Sequence, residues 1–296
     1  NYPDTNWWNA VAKDWATNTE HSLAISGGNE KISFYSSAQY MYQDVIYKNS
    51  PQNYNQYQFS TNLDAKITKA IKFGFDILGR QTVDNRGVRT TEDLFSYFLT
   101  TSPMSAPYYP NGLLRTGYDG ITNNAVLMVS DLPGTSKTTN NTLNLKPKIR
   151  IDLDVITPGL YAEGYAALDY TFNNGKTTNT PYDIYSYDSV SGEYTNQRDA
   201  TGSVSVSSWS SNSSSITLNV RIGYSHLFNN AHQINAFVAY EQNKYHYNYL
   251  YGYRTNFVSS ALPDLDYGST DKTNQSNSGN SNETARQNWF GRVNYG

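Results

Sequence analysis

The sequence predicts an all-β chain: a transmembrane antiparallel β-barrel, present in part, with about nine strands and long loops gathered at one end. Three features carry that prediction. Residues 139–172 form a hairpin pattern in which Leu143, Leu145, Pro147, Ile149, Ile151 and Leu153 alternate with Asn144, Lys146, Lys148, Arg150 and Asp152. Short and long connections alternate along the chain, so the short turns fall at one end of the sheet. The composition is charge-poor (16% Asp, Glu, Lys and Arg) and rich in Asn, Ser and Tyr, with 27 tyrosines. That profile suits β structure with polar loops and argues against a helical enzyme core.

Side chains on a strand point to opposite faces in turn, so each run of the hairpin has one apolar face and one polar or small face. After the turn Asp154-Val155-Ile156-Thr157-Pro158-Gly159, the second run carries Leu160, Ala162, Gly164, Ala166, Leu168, Tyr170 and Phe172 on one parity. Each run is about 11–13 residues, the length a tilted strand needs to cross a bilayer. Lys146, Lys148 and Arg150 share the polar face, which is heavy charge for the inside of a soluble sandwich. In lipid each would cost about 2–4 kcal/mol near the midplane, so in a barrel all three face the lumen. The alternative is two packed sheets with Ile149 and Val220 buried between them.

The net charge of −3 is too small to imply nucleic acid or an anionic membrane surface as partner. The sequence has no cysteine, which excludes a disulfide framework and a cysteine-ligated metal. Its longest apolar run, Ala125–Val129, is far short of a membrane helix, so a spanning chain must cross with strands. It opens at Asn1 with no signal peptide and closes at Gly296 inside a strand-like pattern, and so reads as a piece of something longer.

Taken in order, Trp8, Val11, Ala12 and Trp15 have the spacing of a short amphipathic helix or of an irregular, aromatic-packed loop. A strand through His21, Leu23 and Ile25 reaches the turn Ser26-Gly27-Gly28-Asn29, where the glycine pair permits positive φ. The return strand holds Ile32, Phe34, Ser36, Ala38, Tyr40 and Tyr42 on one parity. Past Pro51 a third strand (Tyr57, Phe59, Thr61, Leu63, Ala65) turns at 66–70 into a fourth (Ile71, Phe73, Phe75, Ile77). A long insert at 81–140 follows. In it, Thr90 and Asp93 have capping-box spacing before Leu94, Phe95, Phe98 and Leu99, and Tyr108-Tyr109-Pro110-Asn111-Gly112 reads as a turn.

After the central hairpin, 173–214 reads as a polar loop whose serine-rich part, Ser203–Ser215, is expected to be partly mobile. Ile216, Leu218, Val220, Ile222 and Tyr224 then alternate against Thr217, Asn219, Arg221 and Gly223. A tight turn at Phe228-Asn229-Asn230-Ala231 leads back through Ile234, Ala236, Val238 and Tyr240. A third insert at 246–284 contains the low-complexity run Thr273–Glu283, and a last strand carries Trp289, Gly291, Val293 and Tyr295. Tyr40, Tyr42, Tyr170, Phe172, Tyr240, Tyr245 and Tyr247 lie near strand ends, as interfacial girdles do.

Nothing in the sequence points to catalysis, a cofactor or a metal. His21, His226, His232 and His246 lack metal-ligand spacing, and Asp264, Asp266 and Asp271 around Gly268 miss the EF-hand pattern. The candidate binding residues are aromatic and amide side chains of the long loops: Tyr108, Tyr109, Asn111, Tyr118 and Trp209, then Tyr247, Tyr249 and Tyr251. Rings of this kind stack on sugar faces while amides hydrogen-bond the hydroxyls. Peptides can use the same surface through backbone hydrogen bonds, and the bland alternative is that the rings pack the loops together.

Four stretches resemble the SusC-like branch of TonB-dependent outer-membrane transporters of Bacteroidetes. Asn6-Trp7-Trp8 before Leu23-Ala24-Ile25-Ser26-Gly27-Gly28-Asn29-Glu30-Lys31 is similar to the family's early barrel. Thr61-Asn62-Leu63-Asp64 with Ile71-Lys72-Phe73-Gly74 resembles its next hairpin, and Ala239-Tyr240-Glu241-Gln242 its mid-barrel strand. Phe290-Gly291-Arg292-Val293-Asn294-Tyr295 matches a strand that usually reads phenylalanine–glycine–arginine. The resemblance implies a section of a barrel of about 22 strands with a plug inside. It implies a non-enzymatic nutrient importer set in outer-membrane lipid and energised through TonB. Its partner would be a SusD-like lipoprotein, and its substrate an oligosaccharide or, next, a peptide; a passive porin, an adhesin barrel and a soluble sugar-binding module are the alternatives.

Overall fold

The structure, a computed structural model, describes residues 3–89, 91–116, 124–197 and 202–296. In chain order its helices and strands are α1 (Trp7–Val11), β1 (Asn18–Gly28), β2 (Ile32–Asp44), β3 (Asn53–Lys66), β4 (Ile71–Gly87), α2 (Thr91–Thr100) and α3 (Ala125–Val129). There follow β5 (Gly134–Asp152), β6 (Leu160–Asn179), β7 (Tyr185–Tyr187), β8 (Tyr194–Asn196), β9 (Ser205–Phe228), β10 (His232–Thr255) and β11 (Gln275–Tyr295). Nine strands form one antiparallel sheet in the order β1-β2-β3-β4-β5-β6-β9-β10-β11, while β7 and β8 pair only with each other. Ile149 and Val220, 44% and 57% exposed, lie on the same face of that single sheet, so the two-sheet alternative does not hold.

Turns at 29–31, 67–70, 153–159 and 229–231 gather at one end, and the connections from β2 to β3, β4 to β5, β6 to β9 and β10 to β11 leave the sheet at the other. Asn229 and Asn230 both adopt positive φ (48° and 55°), the twist that a tight hairpin requires. The first turn works differently from the sequence expectation. Gly27 and Gly28 stay inside β1 without positive φ, and Asn29 Oδ1 closes the turn by accepting from the backbone N–H of Lys31 (2.8 Å) and Ile32 (3.0 Å). What Gly28 supplies is room, since a Cβ there would lie 2.6 Å from the Ile32 carbonyl oxygen.

Register sorts every strand into two faces. Ala65, Phe73, Ile149, Gly164, Val220, Tyr240 and Trp289 lie in one cross-strand row on one face. Rows beside it add Ile77, Leu145, Leu168 and Ile216, then Ile71, Ile151, Ile222 and Val238. In β9 this outward apolar band runs from Ile216 to Tyr224; at about 3.3 Å per residue and a barrel tilt it is about 24 Å tall, the height of a hydrocarbon-facing band. Aromatics border it on both sides. At the turn end Tyr224, His226 and Phe228 contact one another and His232 stacks on Tyr295 (5.9 Å). At the loop end His21, Tyr40 and Tyr57 form one cluster and Tyr240 with Trp289 another. The row of His21, Tyr40 and Tyr57 reaches β11 at Ser281, eight residues from Trp289. Eight residues over eight strand steps corresponds to a tilt of about 35°, the slant of strands in a closed barrel.

The strands outrun the expected length. β5 and β6 have 19 and 20 residues, and β9 and β10 have 24 each. Ser205–Ser215, expected as mobile loop, is strand, and Gln275–Glu283 of the low-complexity run is strand as well. The inserts shrink accordingly. Hydrophobic alternation marks only the lipid-facing part of a strand; above it both faces are wet, and hydrogen bonds to long neighbours hold the chain extended. Above Ser215, β9 stands about 30 Å clear of the band.

At the loop end a small core unites distant segments. Trp7, Val11, Tyr47, Leu94, Leu127, Met128 and Ile184 are buried together, and Trp7 Nε1 donates to the Ser102 carbonyl at 2.9 Å. The Trp8–Val11 spacing is thus realised as a short helix, capped by Asn6, whose Oδ1 accepts from the Asn9 N–H. Helix α2 lies where the capping-box spacing put one, although Thr90 is outside the described residues. The apolar run Ala125–Val129 is helix α3, buried in this core.

Candidate functional site

The face opposite the apolar band is the more enclosed one: Asn219, Ala239 and Gly223 are buried there, while Val220 and Val238 across the sheet are exposed. At band height it carries Lys146, Lys148 and Arg150, in the parity that their alternation requires. Lys148 Nζ lies 3.3 Å from both Asp64 and Asp76. Arg150 pairs with Asp152 (2.8 Å) and Glu163 (3.2 Å), and its guanidinium lies 3.9 Å over the Tyr161 ring. Lys146 sits 4.5 Å over the ring of Tyr165. Glu163 also pairs with Arg221, and Glu241 accepts from Tyr165 Oη (3.2 Å) and Asn219 Nδ2 (3.0 Å). Lys146, Lys148, Arg150, Glu163, Arg221 and Glu241 line a groove of about 790 Å³. The pairs are partly solvated, a setting in which an ion pair contributes about 0–1 kcal/mol, so the network fixes side-chain positions and wets the wall more than it stabilises the sheet.

The loop half of the same face has different chemistry. Tyr245, Tyr247, Tyr249, Tyr251 and Tyr253 occupy alternate positions of β10 and share the inward parity of Glu241. The girdle assignment of Tyr245 and Tyr247 therefore does not hold: they face inward, whereas Tyr240 faces out. Trp209 of β9 is directly opposite Tyr251, and its ring centroid is 6.5 Å from that of Tyr249. The indole lies down over Gly175 of β6, where a Cβ would be 2.3 Å from Nε1.

The remaining sequence candidates lie apart from this wall. Tyr109 packs against Tyr194 (5.0 Å) and Tyr187 (6.3 Å), with Arg115 over its ring at 5.3 Å. Tyr108 is half exposed in a bridge with Leu114, and Asn111 Oδ1 accepts from the Leu113 N–H (3.2 Å) within the turn that Gly112 closes at φ +86°. Tyr118 lies outside the described residues. Sequence reasoning passed over Tyr245 and Tyr253 as binding residues, although tyrosine at every second position of 245–253 was itself the signal. It also passed over Asp64, Asp76, Glu163 and Glu241, whose link to the central hairpin depends on register. Asp264 pairs with Lys176 (2.5 Å) and Asp271 caps a turn by accepting from the Thr273 N–H.

A single sheet with an apolar outer band, a charged inner face and long extensions on one side is part of the wall of a transmembrane β-barrel. No protein-family model and no curated protein matches the sequence. Among solved structures the chain is similar to a "RagAB peptide transporter" (20% identity, TM-score 0.78), aligned over 99% of this chain and 31% of that one. It is similar also to the RagAB peptide importer in its "open-open" state (20%, 0.78) and its "closed-closed" state (19%, 0.77), with the same coverage. At this identity the likeness shows the fold. The chain spans about a third of the length of these structures.

Proposed function

We propose that residues 1–296 form part of the wall of a SusC-like outer-membrane importer, energised through TonB and working with a SusD-like surface lipoprotein. The plug and the other strands belong to the rest of the protein in this reading. One observation carries it: a lipid-height band backed by an inward charged network, continued by a polar, tyrosine-rich wall far above the membrane. A passive pore needs no such tall wall, whereas an importer that receives cargo from a surface partner has a use for one. The substrate reading is an oligosaccharide, from the inward rings among amides and hydroxyls. A peptide is the second reading, favoured by the solved structures described as peptide importers.

The test uses cells that express the full-length protein, given fluorescent neutral oligosaccharides or a tryptic peptide mixture, with and without functional TonB. Uptake that disappears without TonB is the expected result. Uptake that persists without TonB marks a passive porin, and no protein-dependent uptake of either class contradicts import.

A further inference from the structure

The loop half of the inner wall is uncharged across five adjacent strands. Inward positions of β5 from Gly134 to Thr142, β6 from Thr171 to Asn179 and β9 from Ser205 to Ser213 hold no Asp, Glu, Lys or Arg; below them lies inward Asp169 of β6, in the row of Asn144, Ser215 and Tyr245, accepting from Asn144 Nδ2 (2.5 Å). The same holds for β10 from Tyr247 to Thr255 and β11 from Ser276 to Asn282, with inward Arg286 of β11 two rows below, opposite Asn243. The charges on these stretches (Lys137, Lys176 and Arg254) all take the outward parity. The neutral surface stops at β4, where Arg86 pairs with Asp84 at 2.5 Å.

From this sorting we propose that the wall is a binding track for uncharged oligosaccharides, with Trp209, Tyr245, Tyr247, Tyr249, Tyr251 and Tyr253 as its stacking residues. The proposal rests on the import reading and deepens it by assigning a site and excluding charged cargo. Rings at alternate positions of one strand stand about 6.6 Å apart, so neighbouring rings can engage successive parts of one chain-like ligand. Each ring offers an apolar face to sugar C–H groups, and its phenol offers a donor and an acceptor. None of the five phenol hydroxyls has a hydrogen-bond partner among the described residues, so each is open to ligand or water. On both sides of the column the inward neighbours are Ser, Thr and Asn, apart from Trp209, and these can exchange water for sugar hydroxyls. Gly175 gives the indole its flat seat, which turns one ring face to the lumen. Above the Asp169 row a carboxylate or ammonium ligand would lose hydration and meet no counter-charge, a cost that a neutral polyol avoids. That argument favours saccharides over peptides, whose termini carry both charges.

The test presents the purified full-length protein to an array of neutral oligosaccharides, uronic- and sialic-acid oligosaccharides and tryptic peptides. Neutral oligosaccharides are the expected ligands. Tyr249→Ala and Tyr251→Ala each weaken binding about tenfold, and Tyr249→Phe by much less, because stacking survives it. Gly175→Val, which displaces Trp209, weakens binding in the same direction. Wild-type heat-modifiable gel mobility in all four variants shows that the barrel has formed. A preference for acidic sugars or peptides, no retained neutral sugar, or binding indifferent to the alanine variants would overturn the proposal. TonB-dependent peptide uptake alongside any of those results leaves the import reading standing, whereas loss of all TonB-dependent uptake removes that reading itself.

Discussion

Lys148 crosses the backbone of Gly74 to reach Asp64, and nothing larger than hydrogen fits beneath it: a Cβ would lie 2.0 Å from Lys148 Cε and 2.7 Å from Asp64 Oδ1. Gly74→Val is therefore expected to push the ammonium off Asp64 while leaving the barrel assembled, since partly exposed pairs contribute about 1 kcal/mol or less. Amine acylation followed by mass spectrometry should show Lys148 reacting faster relative to Lys146, and an unchanged ratio would contradict the geometry. A second residue-scale prediction concerns Asp188 in the β7–β8 turn. The backbone N–H of Val190 and the Ser191 hydroxyl hold its carboxyl below the usual range. A depressed value means that its contribution is present at neutral pH and is lost only as pH falls through the folded value. Protease sensitivity of the 188–193 turn should thus be the same at pH 7 and about pH 5 and rise only in stronger acid. Asp188→Asn should remove that dependence. That Lys146, Lys148 and Arg150 share one parity, opposite the apolar set, could be read from the sequence alone. Their partners could not, because Asp64 and Asp76 reach Lys148 through the registers of β3 with β4 and β4 with β5.

Within β9 the same strand lies in two solvents. Ile216, Leu218, Val220 and Ile222 face outward in the band, while Ser208, Ser210, Asn212 and Ser214 continue that face above it. Val220→Arg is expected to destabilise the full-length protein in lipid vesicles by about 2–4 kcal/mol, and Ser210→Arg to stay within about 0.5 kcal/mol. Equilibrium unfolding of the two variants checks this, and equal effects would move the membrane boundary. This division explains what could be read at the level of elements. The apolar alternation of 216–224 announces a strand, whereas Ser205–Ser215 has no alternation and looks like loop composition. Its extended form comes from ladders to β6 and β10 on either side, and no single-strand pattern carries that information. The small core that joins α1, α2 and α3 was hidden for a related reason: local spacing marks α1 and α2, but the contacts from Tyr47 and Ile184 that unite them are long-range.

Across the whole molecule, one face must meet lipid and the other water for the apolar band, the two girdles and the charged network to make sense together. The succession of hairpins, the gathering of short turns at one end and the shared parity of Lys146, Lys148 and Arg150 follow from the sequence pattern, and the solved transporter chains share the fold at 20% identity. Height is what the pattern underestimates, because the outer halves of β5, β6, β9 and β11 carry no hydrophobic alternation. The orientation of β5 tests this account most directly. Cysteine substitutions one at a time from Leu145 to Ile151, in the full-length protein in membranes, are labelled with a water-soluble maleimide; this segment has no native cysteine to interfere. Labelling is expected at positions 146, 148 and 150 and protection at 145, 149 and 151. Equal labelling on both parities, or the opposite phase, would contradict both the register and the barrel.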